Sequence, residues 1–336
     1  MNRTELIISS EAADDGLDEQ AEAGLDAELR VWVAGAHQHG HRLDRTLAEL
    51  VPEFSRSYLQ QLIVLGAVTV NGAAITKPAA RVKVADTGTV ELRPTPQSQA
   101  FKPEPMALDV VYQDEHVMVI NKPANLVVHP APGNWSGTLL NGLLALDAAF
   151  MDLPRAGIVH RLDKDTSGLM VVARTRVAMD ALVRAIAARD VQRRYLALAH
   201  RRWAGAGRQE VQAAIGRDPR NRLRMSVVDL NQHAGKPART DIELLQNAEA
   251  TCLVRCSLHT GRTHQIRVHL AWLGHPLLSD ETYGGAGAAG INRQALHAVQ
   301  LAFSHPVTGQ ALSFSADPPT DFRTAMALLG LRYNLL

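Results

Sequence analysis

The chain is short of several things that would assign it a chemistry at once. Its 336 residues contain two cysteines, so no disulfide framework is available and a reducing, cytoplasmic compartment is expected. Aromatic residues make up 4%. No apolar run approaches the ~20 residues of a membrane span; "LIVLGAVTV" is short and broken by Gly66. The first twenty residues lack the basic start and apolar core of a signal peptide. No H-E-x-x-H pair is present, and "GGAGAAG" neither follows the spacing of a dinucleotide loop nor ends in G-K-[ST], so it reads as a flexible loop. Cys252 and Cys256, four apart on an expected strand, read as small core residues. No metal, redox group or nucleotide cofactor is expected. No fixed-period repeat covers the chain.

Excess charge also seems to be missing, since the total is +1. The distribution says otherwise. Residues 1–28 hold nine acidic side chains and one basic one, and the rest of the chain therefore carries +9. A body that basic attracts phosphates over a broad surface. The acidic segment is poor in large apolar residues and reads as a disordered tail over residues 1–30.

The remainder divides at "PTPQSQAFKPEPM", a Pro-rich polar linker over residues 94–106. Residues 31–93 form a small domain. Leu43, Leu47 and Leu50 share one face of a helix that Pro52 ends. Ser55 caps a second helix carrying Leu59, Leu62 and Ile63, which Gly66 stops. "AVTVNGAAI" is a strand, an Asn-Gly turn and a strand, and "DTGTVELR" a last strand. Arg42, Arg45 and Arg56 are expected on the outer helix faces, with Lys77 following. Residues 107–336 hold more strands than helices, without regular alternation. This predicts an α+β fold, a mixed, mostly antiparallel sheet flanked by helices. Expected strands include "LMVVART", "RRYLALAH" and "TCLVRCSLH"; expected helices are "RVAMDALVRAIAAR", "RTHQIRVHLAWLG" and "DFRTAMALLG".

The tetrapeptide HRLD occurs twice, at His41–Asp44 and His160–Asp163. In the first copy Asp44 falls in the first turn of a helix, where a carboxylate favours the dipole; a solvated structural role is expected. The second copy lies in "HRLDKDTSG", a short polar connection between two apolar strands, where reactive groups usually sit. By spacing alone Asp163 and Asp165 are both candidates, and a turn aspartate bonded to backbone amides is the alternative.

"GIVHRLDKDTSGLMVVART" resembles the signature of the RluA-type pseudouridine synthases. "LDVVYQDEHVMVINKPANLVVHPAPG", "RRYLALAH", "LHTGRTHQIRVHLAWLGHPLLSDETYGG" and "RQALHAVQLAFSHPVTG" resemble further stretches of the same family, in order. Residues 31–93 resemble the S4 RNA-binding domain that many members carry. The resemblance implies an isomerase that converts uridine to pseudouridine with no cofactor, and Asp163 as its catalytic carboxylate. It further implies Arg262 as the cation paired with Asp163, and Tyr195 as an active-site aromatic on which a flipped base stacks. Without the resemblance Tyr195 reads as core and Arg262 as a surface or phosphate-binding arginine. Arg161 either enters the gap left by the flipped base or contacts a phosphate. Arg217, Arg220, Arg222 and Arg224 form either an RNA-facing patch or a solvated loop.

Within the family, the S4 domain with "PRAGIVHRLDKDTSGLMVV" and "RQALHA" is most similar to the large-subunit synthase D group, which acts on the helix 69 loop of 23S rRNA. The expected partner is therefore 23S rRNA or a large-subunit particle, with no membrane, and the expected state a monomer. The stretch "LLSDETYGG" departs from the family's usual GDPxYGG form, and the "AGAAGIN" that follows is brief. Other 23S or tRNA uridines, and a non-catalytic RNA-binding assembly factor, are the competing readings.

Overall fold

The computed structural model describes residues 28–93, 95, 100–131 and 133–333. The chain forms two compact units, divided between Ser98 and Gln99. The division falls inside the expected linker.

The first unit follows the sequence pattern. Helices Leu43–Leu50 and Arg56–Val64 are present, and Ser55 Oγ accepts from Tyr58 N at 3.3 Å. Strands Thr69–Val70 and Ala73–Ala74 turn through Asn71 and Gly72, both at positive φ, as a two-residue hairpin turn requires. Leu43, Leu47, Leu59, Leu62 and Ile63 are fully buried, with Trp32, Val68 and Val90 beside them. Leu50, the last residue of its helix, is instead exposed. Strand Glu28–Val33 pairs antiparallel with Thr87–Leu92 over its whole length. Glu28 to Arg30, three residues of the expected tail, thus belong to this ladder. The rest of that tail lies outside the described residues.

Asp44 overturns the expectation of a solvated carboxylate. It is fully buried. Arg42 donates to it twice at 3.0 Å, Arg56 once at 3.0 Å and Gln60 once at 2.5 Å. Burial pushes the carboxyl up, but the hydrogen bonds from Arg42, Gln60 and Arg56 outweigh it and hold the group below the ordinary carboxylate value. The first HRLD copy is a clasp between the two helices.

In the second unit nine strands form one sheet among the described residues. Their order is Val110–Gln113, Val117–Lys122, Ser167–Ala173, Leu296–Ser304, Gln192–His200, Thr251–Leu258, Arg239–Asn247 and Arg208–Gln212, with Ala311–Ser315 also on Leu296–Ser304. Neighbours are antiparallel except for Ser167–Ala173 with Leu296–Ser304. At that parallel pair Gly168 lies so close to its neighbour that a Cβ would sit 2.3 Å from Ala298 O. Alternate residues feed two cores. Met118, Ile120, Met170, Val172, Tyr195 and Ala197 face one side with helices Leu139–Leu146 and Gln265–Trp272. Val119, Val171, Leu196 and Leu198 face the other, against helices Arg176–Ala188 and Thr320–Leu328. Both cysteines are buried core residues. A sheet covered on both faces makes its strands continuous apolar runs, as the wholly buried strand Ser167–Ala173 shows.

Candidate active site

The polar loop over residues 160–166 enters strand Ser167–Ala173 near the middle of the sheet. Four fastenings shape it. His160 Nε2 accepts from Val171 N at 3.1 Å, and Thr166 N donates to Asp163 O at 3.1 Å. Arg293 Nη1 donates to Asp165 O at 2.9 Å. The fully buried Lys122, at the end of a neighbouring strand, gives its three donors to the carbonyls of Pro123, Leu126 and Lys164 at 2.7–2.9 Å. Burial pulls the Lys122 ammonium down to about 7, against the opposing charges of Asp165 and Asp163. With its backbone held at both ends, the loop presents Asp163 in one place.

The Asp163 carboxylate lies where two cavities meet. One, of about 360 Å³, is lined by Arg161, Asp163, Arg193, Tyr195, Arg262 and Arg267, among others. The second, of about 700 Å³, shares Arg161, Asp163, His264 and Arg267 and continues past Lys164, Asp165 and Arg293. A carboxylate at such a depth needs a fixed cation. Arg267 supplies it: Nη1 lies 3.1 Å from Asp163 Oδ2. Arg267 is itself clamped by Asp280, Nε to Oδ2 at 2.7 Å and Nη2 to Oδ1 at 2.9 Å, and both residues are buried. Burial alone lowers the guanidinium, but Asp280 and then Asp163 outweigh it and hold the proton more firmly than usual. This pairing fixes the place of Asp163 and sets a permanent positive charge against it.

The expected partner, Arg262, is not the one that pairs. Its Nε donates to Pro237 O at 3.1 Å, and its backbone N–H to Gln265 Oε1 at 3.0 Å. Arg262 precedes the helix, and His264 turns the chain through a left-handed residue, φ 56°. The helix that follows buries every residue from Gln265 to Leu270, so Arg267 points inward while Arg262 stays at the mouth. An arginine between Ile266 and Val268 in an apolar helix was the available signal, because buried arginines require partners.

Tyr195 reaches the same cavity from strand Gln192–His200. Burial pushes its phenol up to about 12; Arg193 opposes this and Asp163 adds to it. The hydroxyl therefore stays neutral near pH 7, and the ring offers a face to a planar base. His264 was not singled out by sequence. Its Nε2 lies 3.8 Å from Asp163 Oδ1, and its Nδ1 contacts Tyr283 Oη at 2.8 Å. Burial pulls the imidazole down, against Asp163.

Arg161 is exposed and lines both cavities. Arg217, at the end of strand Ile215–Arg217, is exposed, as are Arg220 and Arg222 on the loop that leads to strand Met225–Val227, whereas Arg224 is tied to Asp218 at 2.6 Å. In the first unit Lys77 is exposed, Arg45 pairs with Glu49, and Arg42 and Arg56 are spent on Asp44.

The RNA pseudouridylate synthase pattern matches residues 116–272, which contain Asp163, Tyr195 and Arg267. An S4 domain pattern matches residues 41–87. A ribosomal large subunit pseudouridine synthase D of Neisseria meningitidis serogroup B is 48% identical over 88% of this chain and 80% of its own length. Proteins of the same name from Xanthomonas campestris pv. campestris and Pasteurella multocida are 44% and 41% identical, over 93% and 94% of this chain and 96% and 98% of their own. The chain belongs to the RNA pseudouridylate synthase family. Human RNA pseudouridylate synthase domain containing 1 superposes with a TM-score of 0.50 at 28% identity, covering 64% of this chain and 86% of that one. Human domain containing 4 shares the fold, with a TM-score of 0.53 at 24% identity over 67% and 94%. The pseudouridine synthase is thus an RNA-modifying isomerase with the α+β catalytic fold and the amino-terminal S4 domain that its motifs imply. Among its described residues, no group of three or more His, Cys, Asp or Glu is arranged to hold a metal ion, and no helix is long and apolar enough to cross a membrane.

Proposed function

We propose that the protein isomerises uridines of large-subunit (23S) ribosomal RNA, in the helix 69 loop, with Asp163 as nucleophile. In that reaction the N1–C1′ bond breaks and its electron pair stays on uracil. An Asp163 oxygen bonds to C1′, as one carboxylate does in retaining glycoside hydrolysis. The detached base turns, C5 attacks C1′, and the carboxylate leaves. C5 then gives up its proton and N1 gains one, so atoms and electrons balance without a cofactor. The observation that carries this reading is the ion pair between Arg267 and Asp163 at the junction of the two cavities. It holds the nucleophile in place beside a permanent cation. Tyr195 is the platform for the extruded base, and Arg161, at the mouth, meets the RNA beside it. The S4 unit and the exposed Arg217, Arg220 and Arg222 add phosphate contacts that hold rRNA by charge. The names of the similar bacterial proteins support the large-subunit substrate.

The test is to map pseudouridines in 23S rRNA from cells with and without the protein. Helix 69 modifications are expected to vanish on deletion and to return with the wild type but not with Asp163→Asn. Unchanged helix 69 would remove the proposed substrate. Full rescue by the Asn variant would remove Asp163 from its role.

A further inference from the structure

Of the arginines that line the cavity holding Tyr195, Arg193 is buried yet has no counter-charge among the described residues. Arg193 stands two residues before Tyr195 on strand Gln192–His200 and so projects to the same face. It is 7% exposed and lines the 360 Å³ cavity. Among the described residues no side chain or carbonyl pairs with its guanidinium, and its Nε is sealed from solvent without a hydrogen-bond partner. Nη1 packs where a Cβ on Gly261 would lie only 3.0 Å away, so the bare backbone at Gly261 leaves it room. Its charge reaches both Tyr195 and His160.

A buried, unpaired cation is costly to the folded state. Arg267, which lines the same cavity, has two carboxylates; among the described residues Arg193 has none. Such a group is kept where an acceptor arrives with the ligand. A guanidinium only donates, so the acceptor must be an oxygen with growing negative charge. Breaking the N1–C1′ bond creates one inside this cavity, because the departing ring delocalises its electron pair over N1, O2 and O4.

We propose that Arg193 is a further catalytic residue that hydrogen-bonds a uracil carbonyl oxygen and stabilises the uracil anion as it leaves C1′. Arg193 keeps its proton throughout. Its donors are stronger against the anion than against neutral uracil, so the contact acts on the chemical step rather than on binding. The inference rests on the Asp163-centred reading above, but on no particular rRNA site.

The experiment uses the full chain and any RNA that the wild type converts. Single-turnover rates of glycosidic cleavage and RNA affinities are measured for wild type, Arg193→Met and Arg193→Lys. The substrates carry uridine or 5-fluorouridine at the target. Arg193→Met is expected to slow the uridine substrate by about 100-fold or more, with affinity nearly unchanged, and Lys to recover part of the loss. The loss is expected to shrink with 5-fluorouridine, whose fluorine already stabilises the leaving anion. Removing an unpaired buried cation is expected to leave the melting temperature unchanged or higher. An equal loss on both substrates would overturn the proposal. So would weaker RNA binding with a shallower salt dependence, which marks a phosphate contact. A lower melting temperature with a loss equal on both substrates would mark a structural role and also overturn it. Failure of the Asp163 reading shows separately, as cleavage by Asp163→Asn.

Discussion

Arg267 and Asp163 are 104 residues apart in sequence and 3.1 Å apart in space, and the guanidinium that reaches Asp163 has its other edge fixed by Asp280. The three groups form a chain of alternating charge from the buried Asp280 to the cavity junction. Arg267→Met is expected to reduce turnover at least ~100-fold, because an unpaired Asp163 loses the contact that orients it. It also leaves Asp280 buried without a cation, a change that costs roughly 3–5 kcal/mol. Arg262→Ala is expected to retain turnover within a few-fold. Parallel single-turnover and denaturation measurements on the two variants check this; a larger activity loss in Arg262→Ala would reverse the assignment.

Asp44 supplies a contrast that separates structure from chemistry. Asp44→Ala leaves Arg42, Arg56 and Gln60 without their common acceptor. It is expected to destabilise the first unit by about 1–3 kcal/mol, and to leave the cleavage rate of bound RNA unchanged. Amide exchange in helices Leu43–Leu50 and Arg56–Val64 reads the first effect. A large drop in the single-turnover rate would mean that the wrong HRLD copy has been assigned to chemistry.

Tyr195 is expected to act through its ring. With the phenol pushed up to about 12, the hydroxyl is neutral across the working pH range. Tyr195→Phe keeps the stacking face and is expected to keep affinity for target RNA. Tyr195→Ala is expected to lose about 1–3 kcal/mol of stacking. Equal affinities for the two variants would argue that no base rests on this ring.

Asp114 gives a pH-dependent stability. Burial raises its carboxyl, but hydrogen bonds from Tyr112, Val117 and His116 and the charge of His305 outweigh this and bring it to about 2. A carboxyl depressed in the folded state contributes its stability fully above the unfolded pKa of about 3.9. That contribution is lost as pH falls from about 4 to about 2. Denaturation midpoints over this range are expected to fall less steeply in Asp114→Asn than in the wild type. Parallel slopes would deny Asp114 this role.

The exposed arginines on the loop after Ile215–Arg217 make an electrostatic prediction. Replacing Arg222 with Ala is expected to weaken RNA binding regardless of sequence, and to reduce the slope of log affinity against log salt by about one. An unchanged slope would make this a solvated loop.

Much of the site was legible because its parts are local. "HRLDKDTSG" packs seven polar side chains into a turn between two apolar runs, and a loop so composed on a buried sheet is a place for chemistry. A short continuous apolar run marked the Tyr195 strand, and period-3.6 patterning the helices around Leu43 and Leu59. Arg193 and Asp280 were not legible, since a single arginine or aspartate carries no local pattern that distinguishes an unpaired or clamped side chain from a solvated one. Asp44 was misread for the same reason: Gln60, sixteen residues on, is what helps to bury it.

By itself the sequence determined a division into a small unit and a larger one, the mixed sheet, and the polar loop that bears Asp163. Those features follow from apolar periodicity and turn chemistry within a few residues of one another. Only the tertiary structure decided which arginine holds Asp163, and which one is left unpaired beside Tyr195. A left-handed turn at His264 sets the rotation of the next helix, and sheet pairing sets what that helix faces. Both are consequences of packing between segments a hundred residues apart, which no local pattern encodes.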